Sequence, residues 1–200
     1  FASGPEYARA ISATVAADVP VVLTEGTLDD RPVRAFSELL ATEPGPLLVD
    51  AHLQVGPDTI AKFLFTSGST KLPKAVVTTQ RMLCANQQML LQTFPVFAEE
   101  PPVLVDWLPW NHTFGGSHNV GIALYNGGSF YIDDGQPTPK RFGETLRNLR
   151  EISPTVYFNV PKAWEDLTVV LEQDAKLRDV FFARLKVFFF AGAEIGRAHV

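Results

Sequence analysis

The stretch Phe63-Leu-Phe-Thr-Ser-Gly-Ser-Thr-Lys-Leu-Pro-Lys-Ala-Val76 sets three apolar residues directly before a run of small, mostly hydroxylated ones. Phe63 to Phe65 read as the end of a buried strand. Thr66, Ser67, Gly68, Ser69 and Thr70 then make a tight turn, and Lys71 and Lys74 follow it, spaced by Leu72 and Pro73. Backbone N–H groups in such a turn converge on a point, and the hydroxyls add further donors. A nest of this kind suits an anion, and two ammonium groups beside it suit a polyanion such as a triphosphate. A polar strand-to-helix turn with two solvated lysines has the same composition, so both readings stand on these residues alone. The Gly-x-x-x-x-Gly-Lys-[Ser/Thr] nucleotide loop is not present.

Outward from this stretch, composition sets the bounds. At 200 residues and 46% hydrophobic, the chain can bury one substantial core. It begins at Phe1 and stops at Val200 in mid-pattern, so a piece of something longer is expected. A net charge of −5 and the lack of a basic run argue against nucleic-acid binding. A single cysteine, Cys84, excludes an internal disulfide framework and fits a reducing compartment, which makes cytoplasmic the default expectation. No apolar stretch reaches the ~20 residues that span a bilayer, and a targeting segment before Phe1 stays open.

Helix and strand signals alternate along the chain, which predicts an α/β fold with mostly parallel strands flanked by helices. Helices are expected over Ser3–Ala17, Val33–Thr42, Gln80–Gln92, Gly121–Asn126, Pro139–Glu151, Lys162–Gln173 and Leu177–Leu185. Strands are expected at Pro20–Thr24, Phe63–Phe65, Pro101–Pro109, Ser129–Ile132, Pro154–Pro161 and Lys186–Ala193. On Gln80–Gln92 the stripe Met82, Leu83, Ala85, Met89, Leu90 is the expected core face, with Cys84 a buried, inert thiol. Asp133 and Asp134 read as a solvated acidic pair in a turn.

The segment Leu108-Pro-Trp-Asn-His-Thr-Phe-Gly-Gly-Ser-His118 reads as a loop crowded with residue types that usually carry function. His118 alone reads as a structural or exposed histidine. His112 and His118, six apart with only Asp106 near, make a poor metal-ligand set. Farther on, the small residues Gly192 and Ala193 after a buried strand would let a flat ring approach the backbone.

The run Thr66 to Lys74 resembles the phosphate loop of the adenylate-forming superfamily, Thr-Ser-Gly-Ser/Thr-Thr-Gly-x-Pro-Lys, with Lys71 where the family usually has Gly. Leu108, Pro109 and His112 resemble the Leu-Pro-x-Phe-His motif of its acyl- and aryl-CoA synthetases. The resemblance runs from about Pro20 to Ala193. It is closest to the feruloyl-CoA synthase branch, through Arg-Met-Leu-Cys-Ala-Asn-Gln-Gln-Met, Val-Asp-Trp-Leu-Pro-Trp-Asn-His-Thr-Phe-Gly-Gly and Tyr-Ile-Asp-Asp-Gly. Residues 194–200 break the pattern, as a truncated loop or a non-native end would.

The resemblance implies an incomplete N-terminal AMP-binding domain, 1–200, without the small C-terminal domain and its lysine. It implies ATP-dependent activation of an aromatic, hydroxycinnamate-like acid through an acyl-adenylate to a coenzyme A thioester, with Mg²⁺, and a fragment inactive alone. Thr66 to Thr70, Lys71 and Lys74 would then hold phosphates, with Thr66 or Thr70 at Mg²⁺. Gly192 and Ala193 would lie along the nucleotide, and His112 would orient the carboxylate. Trp110, Phe114 and Gly115 would wall the acid pocket. Transfer to a carrier protein, and a non-catalytic nucleotide-binding module, are the alternatives. Neither the particular acid nor the oligomeric state is legible.

Overall fold

The computed structural model describes residues 1–66 and 72–192. The chain divides into two compact units, Phe1–Val55 and Gly56 onward. In the first, α1 (Pro5–Ser12) starts with proline at its first position, where no backbone N–H is needed. Strands β1 (Val21–Leu23) and β2 (Val33–Ala35) pair in parallel, Val21 opposite Val33. Ala2, Ala8, Val21 and Leu23 form a small core.

One expectation fails in this unit. The helix expected over Val33–Thr42 opens instead as β2, because the edge of β1 captures residues 33–35. Only α2 (Phe36–Leu40) remains helical. Pro44-Gly-Pro46, the sequence signal for the end of the helix expected over Val33–Thr42, also starts α3 (Pro46–Leu53), with Pro46 as a helix initiator. Leu47, Leu48, Val49 and Leu53 of α3 are all exposed.

The second unit carries most of the fold. Strands β3 (Ile60–Phe65) and β4 (Ala75–Thr79) form an antiparallel hairpin, with Phe65 opposite Ala75 at its neck. β3 was expected to be buried, yet Phe63 is 55% and Phe65 70% exposed. Among the described residues the hairpin has no further strand on either edge, and much of its apolar surface stays exposed. Thr79 caps α4 (Gln80–Thr93), its hydroxyl accepting the Met82 N–H at 3.4 Å.

The face that α4 buries is only partly the expected one: Leu83 and Leu90 of the stripe are half-buried, and Ala85 is exposed. Met82 and Met89 are exposed, while Gln87 is only 4% exposed and Leu90, Leu91 and Phe94 pack on the apolar core. Gly121 is the cause. A Cβ there would stand 2.3 Å from Gln87 Nε2, so its absence makes room for a polar side chain at a core position. The same rotation leaves Cys84 exposed rather than buried.

A short helix α5 (Val96–Glu99) leads to β5 (Val103–Asp106), which pairs in parallel with β6 (Ser129–Ile132). β7 (Val156–Asn159) pairs in parallel with β8 (Val187–Phe190). Among the described residues three of the four strand pairs are therefore parallel, as expected of an α/β fold. Thr155 stitches the last two pairs together. Its N–H donates to the Val103 carbonyl at 3.1 Å, its hydroxyl accepts the Val103 N–H at 2.8 Å, and its carbonyl accepts from Lys186.

Helices α7 (Phe142–Glu151), α8 (Pro161–Gln173) and α9 (Ala175–Phe182) bury Leu149, Leu167, Leu171, Leu177 and Phe181 against Tyr157. Each such side chain stabilises the fold by roughly 1.5–3 kcal/mol relative to exposure. Asp133 is not the solvated turn residue it was expected to be. It is 5% exposed and accepts from Gly135 N–H, Thr145 Oγ1 and Asn148 Nδ2. That cluster ties the end of β6 to α7.

Candidate functional site

The neck of the β3–β4 hairpin is closed by a reciprocal clasp. Thr66 N–H donates to the Lys74 carbonyl at 3.0 Å, and Lys74 N–H donates to Thr66 Oγ1 at 3.1 Å. The clasp fixes where residues 67–73 leave and rejoin the sheet. Ser67, Gly68, Ser69, Thr70 and Lys71 lie outside the described residues, as does Ala193.

Facing this neck is the histidine segment, which is less of a loop than expected. Thr113–Asn119 forms a π-helical turn that runs into α6 (Val120–Tyr125). The double glycine makes it possible. A Cβ on Gly115 would sit 2.6 Å from the Pro109 carbonyl oxygen, and one on Gly116 would sit 1.9 Å from that of Trp110. His112 caps the turn, its Nδ1 accepting the Phe114 N–H at 3.2 Å. In the neutral ring the proton then sits on Nε2, which is left as a donor.

A cleft of about 540 Å³ joins the two features. The hairpin supplies Leu64, Phe65, Thr66, Val76 and Thr78, and α4 supplies Met82, Leu83 and Asn86. Asn111, His112, Thr113, Ser117 and His118 complete it. Thr66 and His112 thus share one cavity whose open surface is mostly apolar although many of its lining side chains are polar, a make-up that suits a small molecule. Met82 and Leu83 had been read as core, so their place in the cleft was not foreseen. Asn86 lies in the Arg81–Met89 string and Ser117 in the Leu108–His118 segment, yet neither had been singled out as a site residue.

Other singled-out residues lie elsewhere. The Trp110 ring stands edge-on to Phe130 at 6.0 Å. Phe114 packs inward against His118 and Phe189. Gly115 is buried under the Leu108 and Pro109 carbonyls. Gly192, at φ +98°, follows β8 and faces Val160.

Behind the cleft runs a buried polar chain that sequence reading missed. Asp106, 3% exposed, accepts from Leu108 N–H at 3.1 Å and from Asn119 Nδ2 at 3.0 Å. Asn119 Oδ1 lies 2.7 Å from His118 Nδ1, so the imidazole is the donor there and Nε2 carries no proton. Burial pushes the Asp106 carboxyl up to about 6, against the pull of its two donors, and the nearby Asp133 adds to the rise. Burial lowers the His118 pKa, with the Asn119 bond opposing it. His118 is wedged among aromatic rings, 5.1 Å from Phe158 and 5.6 Å from Phe189. Its setting is structural, although one edge reaches the cleft.

Among the described residues no three His, Cys, Asp or Glu side chains converge as a metal cage. No helix among them is long and apolar enough to cross a membrane.

A profile of the AMP-binding enzyme family matches residues 5–200. The chain belongs to that family. It is 26% identical over 140 residues to the long-chain-fatty-acid–CoA ligase ACSBG2 of Gallus gallus, covering 67% of this chain and 17% of the relative. It is 41% identical over 71 residues to the medium-chain-fatty-acid–[acyl-carrier-protein] ligase TtuA of Teredinibacter turnerae, covering 36% and 11%. Among solved structures, it resembles a malonyl-CoA ligase in ternary product complex with methylmalonyl-CoA and AMP. There the TM-score is 0.62 and the identity 22%, covering 97% of this chain and 40% of the other. ATP-bound MatB from Rhodopseudomonas palustris gives a TM-score of 0.61 at 22% identity, covering 97% and 35%. At that identity the likeness shows the fold, and the chain spans less than half of each relative named.

Proposed function

We propose that this chain carries the phosphate- and acid-binding part of an acid–thiol ligase that activates an aromatic, hydroxycinnamate-like carboxylic acid as its adenylate. The observation that carries the reading is the shared cleft of Thr66 and His112. In the first step a carboxylate oxygen attacks the α-phosphorus of ATP, and pyrophosphate leaves with the electron pair of the broken P–O bond. In the second, the coenzyme A sulfur attacks the acyl carbon and AMP leaves.

Two anions meet in the first step, so donors must stand where charge develops. The amides and hydroxyls from Thr66 to Thr70 take the phosphates, and Lys71 and Lys74 add positive charge. His112 Nε2–H donates to the acid carboxylate and turns one oxygen toward phosphorus. Trp110, Phe114 and Gly115 do not line the cleft; in this reading Phe114 acts on the acid only through the position of His118, and Gly115 only through the turn that it lets form. Gly192 and Ala193 pass beside the nucleotide.

The donor set also fits a divalent ion that arrives with its nucleotide. Thr66 Oγ1 accepts one hydrogen bond among the described residues and keeps a lone pair, while no protein cage is present there. Mg²⁺ would sit on Thr66 or Thr70 and phosphate oxygens, and when bound it neutralises phosphate charge.

The aromatic acid is favoured by the Arg81–Met89, Val105–Gly116 and Tyr131–Gly135 strings and by the flat apolar walls that Phe65, Met82 and Leu83 give the cleft. A second reading, transfer to a carrier protein, is favoured by the 41% identity to the Teredinibacter ligase. ATP–pyrophosphate exchange by the full-length protein with 4-hydroxycinnamate tests adenylation. Thioester formation with coenzyme A against a pantetheinylated carrier separates the acceptors. No acid-dependent exchange with any carboxylic acid would sink the reading.

A further inference from the structure

A thiol that attacks an acyl-adenylate must give up its proton, so the second step of the proposed reaction needs a group to receive it. The described residues that border the cleft supply few candidates. Most of its polar liners are hydroxyls and carboxamides, which are not bases at neutral pH. The basic groups there are two imidazoles, those of His112 and His118. His112 Nδ1 already accepts the Phe114 N–H and its Nε2 is protonated, so its lone pair is taken.

His118 is arranged the other way round. Its Nδ1–H donates to Asn119 Oδ1 at 2.7 Å, which turns that edge of the ring toward a residue only 1% exposed. Asn119 is held in turn, its Nδ2 donating to Asp106 Oδ2 at 3.0 Å. Nε2 carries the free lone pair and makes no hydrogen bond among the described residues. It is not sealed either: the enclosed side-chain polar atoms that lack a partner are Ser12 Oγ, Gln87 Oε1 and Ser153 Oγ. An unbonded nitrogen with accessible surface, on a residue that lines the cleft, is within reach of what the cleft holds.

We propose that His118 Nε2 receives the thiol proton in the thioester step, with Asn119 and Asp106 positioning the ring. This rests on the reading of the cleft as the site of adenylate formation and adds a residue to its second half. The sulfur lone pair forms the S–C bond, and the C–O bond to AMP breaks with its electron pair on the phosphate oxygen. The S–H proton passes to Nε2, and the imidazolium then releases it to solvent. The thiol is the same on coenzyme A and on a pantetheinylated carrier, so either acceptor serves.

The surroundings suit the task. Burial holds the His118 pKa down, so the ring is neutral and able to accept at pH 7. The Asp106 carboxyl, pushed up to about 6, is mostly ionised there, and it steadies the imidazolium through the Asn119 amide. Phe158 of β7 and Phe189 of β8, which pack on the ring with Phe114, carry no charge. The other titratable groups that bear on it are His112 in the same cleft and Asp133 near Asp106.

The test uses the full-length protein with 4-hydroxycinnamate, or octanoate if that is the acid it activates, and separates the two half-reactions. H118Q should slow single-turnover thioester formation from the bound adenylate about 10²-fold at pH 7, the worth of a positioned base, with coenzyme A or the pantetheinylated carrier as acceptor. ATP–pyrophosphate exchange should fall far less, and exchange in the same sample shows that the variant is folded. Raising the pH should rescue H118Q, its thioester rate climbing about tenfold per unit toward the thiol pKa of ~8.5. The unaltered protein should instead stay level over that range, a profile that serves even if H118Q does not fold.

Equal losses in both half-reactions, no recovery of H118Q at high pH, or an unaltered protein whose thioester rate tracks the thiolate would overturn the role of His118 and leave the acid site standing. Exchange without thioester formation on either thiol would do the same. If neither acid supports exchange, the acid site and the role of His118 fall together.

Discussion

Thr66 and Lys74 hold each other twice, once through both backbones and once through the Thr66 hydroxyl, at 3.0 and 3.1 Å. The bonds close the neck of the hairpin and leave the Lys74 ammonium free of the closure, which uses only its backbone. The residue that anchors the loop and the residue that charges it are thus one clasp.

Thr66→Val removes the hydroxyl acceptor but keeps the β-branched shape that suits a strand end. Lys74 N–H then loses a partner at an exposed site, so the cost in stability should stay below ~1 kcal/mol. Acid-dependent ATP–pyrophosphate exchange by the full-length protein should fall about 10²-fold, as when one phosphate-side donor is lost. Thr66→Ser should restore most of it. An equal loss in the serine variant would show that the hydroxyl is not the group that matters.

His112 both caps the π-helical turn and offers Nε2–H to the cleft. His112→Asn retains a side-chain acceptor for the Phe114 N–H, whereas His112→Ala does not. The two should differ by about 1 kcal/mol in thermal or denaturant stability, the usual worth of such a cap. Both should lower kcat/KM for the acid by a similar factor. An asparagine variant with full activity would remove the imidazole from the proposed role.

Asp106 gives stability a pH dependence of definite sign. Its folded pKa of about 6 stands above its ordinary 3.8, so the folded protein holds a proton that the unfolded chain releases. Stability from this group is present below pH ~4, falls as pH rises through ~6, and changes by about 3 kcal/mol in all. His118, lowered by burial, acts oppositely, its contribution increasing as pH rises toward 6.5. The difference between the unaltered protein and Asp106→Asn, from urea unfolding at pH 4 to 7, isolates the aspartate. It should shrink or reverse across that window, and a flat difference would contradict the burial argument.

Gly121→Ala places a methyl 2.3 Å from Gln87 Nε2 and must push that side chain off the Ser117 carbonyl. Crowding a packed position in this way costs about 1–3 kcal/mol. The double variant with Gln87→Ala should cost less than the sum of the two single changes, because the smaller partner accepts the methyl. Additive unfolding energies would mean that the two residues do not contend for the same space.

Much of the α/β order could be read in advance because strands such as Ser129–Ile132 and helices such as Phe142–Glu151 announce themselves by period and by their punctuation. Local signals misled where a distant residue decided the outcome. Gln87 looks like surface until Gly121, 34 positions on, clears a place for it. Asp133 looks solvated until Thr145 and Asn148 close over it. Pro46 looks like a terminator although it is also a helix initiator. At the cleft, Thr66 and His112 were singled out from their motifs, whereas Asn86 and Ser117, inside quoted strings too, line it because α4 and the π-helical turn face the hairpin, which spacing does not reveal. The Asp106–Asn119–His118 chain has no sequence signature, since its members are joined by packing rather than by spacing.

Among the described residues the β3–β4 ladder has no third strand to brace it, and its apolar side chains are largely uncovered. Two-stranded ribbons are marginal by themselves. Residues 60–65 and 75–79 should therefore exchange their amide protons with solvent well before β7, whose four residues are all buried. A ligand held at the Thr66–Lys74 neck would also brace the ribbon. Occupancy of the cleft would then be readable as slowed exchange in β3 and β4, far from any bond the ligand makes.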